Sequence, residues 1–172
     1  MTKSEIQSCG LGNAGIEVFA DKVLKTSGIP LTGLQSLIQL VKKFGGNVHF
    51  SDEPDCDSIT VDGKNSFTIL LSKDATPERQ SFSLAHELGH YFLHSQQGSV
   101  PLQAFRFGTH KTEQEANRFA AALLMPKASF EKKWHALSTA DNLKPACLSI
   151  DFNVSLAAAE NRAKSLGLLN AN

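Results

Sequence analysis

The chain has 172 residues, long enough for one domain with a real hydrophobic core, and 41% of them are hydrophobic while 20% are charged. Lysine plus arginine and aspartate plus glutamate both number 17, so neither a nucleic-acid-binding excess of basic charge nor an acidic tail is present. The first residues lack the apolar stretch of a signal peptide, no later run is long enough to span a membrane, and Cys9, Cys56 and Cys147 are scattered without a CxxC pair; the expectation is a cytoplasmic protein with reduced thiols.

In chain order, "NAGIEVFADKVLKTSG" predicts a helix with Ile16, Phe19, Ala20, Val23 and Leu24 on one face and Gly28 as its stop. "TGLQSLIQLVKKFGG" predicts a second, capped by Thr32 and ended by Gly45 and Gly46. Three short β-like runs follow, "NVHFS", "SITVD" and "SFTILLS", the last two joined by the turn "DGKN" as a hairpin. "ATPERQSFSLAHELGHYFLHS" then predicts one long helix, with Thr76 as N-cap and Pro77 at its first position. A loop is expected from Gln96 to Lys111, with Phe105, Arg106 and Phe107 exposed, and a helix from about Thr112 to the stop at Pro126. Helical segments "KASFEKKWHAL", "KPACLSIDF" and "VSLAAAENRAKSLG" close the chain. Helices, a small antiparallel sheet and more helices describe an α+β fold, with a core over residues 1–126 and a helical subdomain over 127–172 packed on it.

His86, Glu87 and His90 spell HExxH. Residues four apart on a helix lie one above the other, so both imidazoles can bite one cation, and Glu87 is turned aside by about 100°. Two neutral imidazoles holding an ion, with a carboxylate in reach of its water, is the arrangement of a hydrolytic zinc centre. A solvated polar stripe would show the same spacing, so the third ligand decides. His94 lies a turn further along the same helix, whereas a third ligand normally arrives from another element. HExxHxxGxxH fails, since Leu93 and Gln96 stand where glycine and histidine are required. His110, Glu113 and Glu115 remain. Thr112 and Glu115 have capping-box spacing, which offers Glu115 a structural task. Glu113 is preferred because Asn117 lies one turn on, where its amide could hold a ligating histidine by the other ring nitrogen.

"RQSFSLAHELGHYFLH" followed by "EQEANRFAAALLMP" resembles the two signature phrases of the ImmA/IrrE family of zinc-dependent metallopeptidases, nearly complete and in the usual order. The resemblance implies a zincin-like (gluzincin-like) α+β fold, His86, His90 and Glu113 as zinc ligands, and Glu87 as catalytic base. It also implies a regulatory endopeptidase of prokaryotic or phage origin that cleaves a helix-turn-helix transcriptional repressor. No such DNA-binding segment precedes the peptidase region here, so the repressor is expected to be a separate polypeptide.

The tail resembles the helix-turn-helix-like end of some members, with a turn at Asn153 and Arg162 on its second helix. Six Lys/Arg against four Asp/Glu from Lys127 onward is too sparse for a phosphate-binding face, so DNA binding is not expected. Candidates to steady the oxyanion are Tyr91, His110 and Arg106. Manganese or cobalt would suit the same ligands. The competing readings are a non-catalytic module that binds a repressor or toxin, a DNA-binding protein acting through the tail, and a structural zinc site. The last is disfavoured because no cysteine lies near the motif.

Overall fold

The computed structural model describes residues 7–100, 102–105 and 110–170. Helix α1 (Asn13–Ser27) ends at Gly28 in the left-handed conformation, φ 63°, as a glycine there allows. Helix α2 (Leu34–Lys43) is not capped by Thr32. Its N-cap is Gly33, and Ser36 Oγ accepts the N–H groups of Thr32 and Gly33 at 2.9 and 3.2 Å, a task that a hydroxyl inside the first turn can perform.

Strands β1 (Gly46–Ser51), β2 (Ser58–Gly63), β3 (Ser66–Ser72) and β4 (Leu102–Phe105) form one sheet in the order β1-β3-β2-β4. The hairpin of β2 and β3 is antiparallel, as is the pairing of β2 with β4. β1, however, pairs with β3 in parallel, so the sheet is mixed rather than antiparallel. β4 lies within the stretch expected to be a loop. Arg106 and Phe107 fall outside the described residues, as does the side chain of Phe105.

Helix α3 (Pro77–Gly89) starts as its sequence predicts, with Thr76 Oγ1 accepting the Arg79 N–H and Pro77 in the first turn. It does not continue regularly. Residues His90–His94 form a π-helical turn, closed by the Ser95 N–H on the His90 carbonyl five residues back. Tyr91 and Phe92 leave that turn in different directions. Tyr91 stacks on Phe67 of the sheet at 4.0 Å between centroids, whereas Phe92 meets Phe19 of α1 and Phe44 just past α2.

Helix α4 (His110–Leu124) packs along α3 and against α1, and α5 (Lys127–Ala136), α6 (Lys144–Phe152) and α7 (Leu156–Ser165) follow. α3 is thus central, bordered by α2, β3 and α4. It is pinned to the sheet: Ser83 Oγ donates to Asp57 at 2.7 Å, Asp57 also accepts the Ser72 N–H at 2.9 Å, and Gln80 donates to the Ser72 carbonyl at 2.8 Å. Leu84, Ala85 and Leu88 are fully buried in one core that includes Ile59, Ile69, Leu71, Phe119 and Leu123.

The C-terminal helices meet at Asn153, in the left-handed conformation at φ 52°, with Ser155 capping α7. Arg162 does not face outward to nucleic acid. It is 1% exposed, forks onto Glu17 of α1 at 2.5 and 2.8 Å, and donates from Nε to the Met125 carbonyl at 3.0 Å. A planar guanidinium satisfied in this way is a structural tie between α7, α1 and the end of α4. Among the described residues no helix is long and apolar enough to cross a membrane.

Candidate metal centre

α3 presents His86, Glu87 and His90, and α4, lying alongside, presents Glu113 and Asn117. The two Nε2 atoms of His86 and His90 face each other at 3.1 Å. The Glu113 carboxylate straddles them, with Oε2 3.2 Å from His86 Nε2 and Oε1 3.4 Å from His90 Nε2. One donor atom from each residue keeps the three within 4.8 Å of one another.

The hydrogen bonds around these atoms show what they want. Asn117 Oδ1 lies 2.9 Å from His86 Nδ1, and an amide oxygen only accepts, so the hydrogen of a neutral His86 sits on Nδ1 and its Nε2 is a bare lone pair. Two imidazole nitrogens and a carboxylate then converge, and only a proton or a cation can hold them together. The approaches of 3.1 to 3.4 Å match the edge of about 3.3 Å that tetrahedral zinc with ligand bonds of about 2.0–2.1 Å requires. This donor set fits a divalent ion.

Burial disfavours the His86 imidazolium, but the hydrogen bond to Glu113, the charge of the neighbouring Glu87 and that of Glu113 outweigh it and lift its pKa above the ordinary value. His90 moves the other way, mainly because it is buried (2% exposed) and faces a second imidazole. The imidazoles of His86 and His90 beside its carboxylate hold Glu113 well below the usual carboxylate range. Glu87 itself is 5% exposed.

The other candidates that the sequence puts forward fall elsewhere. His110 is the first residue of α4, not a loop residue; it is exposed and lies 2.8 Å from the Gln114 amide. Tyr91 is buried, with its hydroxyl donating to the Gln97 carbonyl at 3.2 Å, so it is a packing residue rather than an oxyanion donor. Arg106 lies outside the described residues. The capping box of Thr112 and Glu115 does not form, because α4 already begins at His110 and Glu115 turns to other partners: Ser8 Oγ, the Cys9 N–H and His94.

A contact that spacing alone did not reveal sets the separation of α3 and α4. A methyl group on Gly89 would meet Ala116 Cα at 3.0 Å and the Ala116 carbonyl at 3.2 Å. Both are backbone atoms of the helix that carries Glu113 three residues earlier. Alanine is intrinsically the better helix former by about 1 kcal/mol, yet here α4 would have to shift. Gly89→Ala is expected to weaken Zn2+ binding by about tenfold with little loss of helix content; parental affinity in a chelator-competition titration would refute this.

The model of the IrrE N-terminal-like domain, Peptidase_M78, matches residues 42–164, which takes in both helices of the centre. The chain belongs to that family. This Peptidase_M78 domain is similar in fold to a solved structure described as a Mycobacterium tuberculosis transcriptional regulator, with a TM-score of 0.61 and 19% identity over 87% of this chain. The match takes in 46% of the regulator, so this chain spans about half its length. No curated protein matches the Peptidase_M78 chain. The family is one of peptidase-type hydrolases, and the histidine, histidine and glutamate of the centre lie inside the matched range.

Proposed function

We propose that the protein is a zinc-dependent endopeptidase of regulatory type, with His86, His90 and Glu113 as metal ligands, Glu87 as general base and Asn117 holding His86. The observation that carries this reading is the convergence of two imidazole nitrogens and one carboxylate at 3.1 to 3.4 Å beside a buried glutamate. When bound, zinc supplies Lewis-acid polarisation of the scissile carbonyl and acidifies the attacking water; manganese would serve in the same ligands.

The chain's own residues do the rest. Glu87 takes one proton from the water whose oxygen adds to the carbonyl carbon. As the carbon–nitrogen bond breaks, Glu87 passes that proton to the departing amine and ends unprotonated. Asn117 keeps the His86 hydrogen on Nδ1, so Nε2 stays a ligand. An extended segment of the substrate adds along an exposed edge of the sheet, which favours cleavage of flexible polypeptide over folded structure.

The substrate is proposed to be a partner protein, a helix-turn-helix repressor, met in the cytoplasm. A regulatory role accords with the description of the mycobacterial neighbour. Residues 1–126 form the peptidase core and 127–172 a helical addition to it. Co-expression with a candidate helix-turn-helix repressor from the same genome should yield a defined repressor fragment, lost when cells are depleted of zinc. An intact repressor under every condition would defeat the reading.

A further inference from the structure

His94 and Glu115 have no task in the centre as described, yet they are joined to it. The His94 side chain is fully buried, its Nε2 lies 3.0 Å from Glu115 Oε2, and its Nδ1 lies 3.0 Å from His90 Nδ1. A carboxylate only accepts, so the hydrogen of His94 sits on Nε2. Its Nδ1 is then a lone pair and must accept from His90 Nδ1–H. With its hydrogen on Nδ1, His90 leaves Nε2 bare on the side that faces His86 and Glu113.

Glu115 is itself held at both oxygens: Ser8 Oγ donates to Oε1 at 2.5 Å, and the Cys9 N–H donates to Oε2 at 3.0 Å. The far end of the chain of bonds is therefore anchored on the segment before α1, more than a hundred residues away in sequence. The π-helical turn is part of the device, because His94 occupies its last position and sets its ring, tilted by 50°, with its centroid 4.9 Å from that of His90. His86 has its tautomer set in one step by Asn117, on the exposed side of the site; His90, on the buried side, has it set in two.

We infer that His94 and Glu115 are positioning residues that fix the tautomer and ring orientation of His90, with Ser8 and Cys9 anchoring Glu115. The inference rests on the metal centre proposed above. A buried pair that merely fills space would tolerate an apolar replacement. A relay would not, but it would tolerate glutamine, whose carbonyl can accept from His90 Nδ1–H while its amide donates to Glu115.

The test uses the full chain, stripped of metal and titrated with Zn2+ against a chromophoric chelator. His94→Leu should bind Zn2+ about 10- to 100-fold more weakly than the parent, and His94→Gln should recover most of that loss. Long-range proton–nitrogen spectra of the Zn2+-loaded parent should show the His90 hydrogen on Nδ1, a readout that needs no variant to fold. Equal affinity in His94→Leu, no recovery in His94→Gln, or a His90 hydrogen on Nε2 overturns the relay while leaving the metal centre standing. A parent that binds no Zn2+ removes both.

Discussion

Replacing Glu87 with glutamine should leave the protein folded and its metal bound while cutting peptide hydrolysis by about 10²- to 10⁴-fold, the usual contribution of a positioned acid–base group. Glutamine has the same shape, so the buried space that Glu87 occupies stays filled. What is lost is the proton acceptor. The ligand atoms belong to His86, His90 and Glu113, and a neutral side chain at position 87 takes none of them away. The charge of Glu87 does favour the His86 imidazolium, so its removal also weakens the proton that competes with metal at that nitrogen. Zinc content by mass spectrometry and the rate of repressor fragmentation, measured on the same preparations, form the check. A variant that cleaves at the parental rate would show that another group is the base. A variant that no longer cleaves yet retains the full biological effect would establish the protein as a binding module.

Removing the third ligand has the second large effect. Glu113→Ala takes away the only carboxylate among the three donors, and its affinity for Zn2+ should fall by more than the roughly 100-fold seen when merely supporting groups are lost. The consequence is visible in stability. With zinc at about 100 times its dissociation constant, the parent gains about 2.7 kcal/mol, which for a chain of this size raises the melting temperature by roughly 5–10 °C. Glu113→Ala should melt at nearly the same temperature with and without zinc. If calorimetry showed the parental shift in the variant, the ion would have to be held by other residues, and the converging contacts of 3.2 and 3.4 Å would have no ligand role.

Much of the helical framework is legible in the sequence because its signals are local. Gly28 ends α1, Thr76 and Pro77 open α3, Pro126 follows α4, and each of these works within one turn of backbone. The β2–β3 hairpin is legible for the same reason, from a turn flanked by two strands. What escapes is non-local. β4 is four residues long and finds its partner, β2, some forty residues earlier, so no local pattern distinguishes it from loop. The direction of β1 is set by its pairing with β3, about twenty residues further on, which no local pattern shows. Glu115 has capping-box spacing, yet its carboxylate is claimed by Ser8, Cys9 and His94 from two distant parts of the chain.

The sequence alone determined that His86 and His90 share one face of a helix, because four residues of α-helix return a side chain to the same side whatever surrounds it. It also determined that a carboxylate and an amide, Glu113 and Asn117, share a face of another helix. Only the tertiary structure decided that these faces meet. Gly89, lacking a Cβ, lets α4 approach α3 closely enough to set Glu113 across both imidazoles. Only folding, too, gave the third histidine of the row its partners, since Glu115, Ser8 and Cys9 are brought to His94 by packing rather than by spacing.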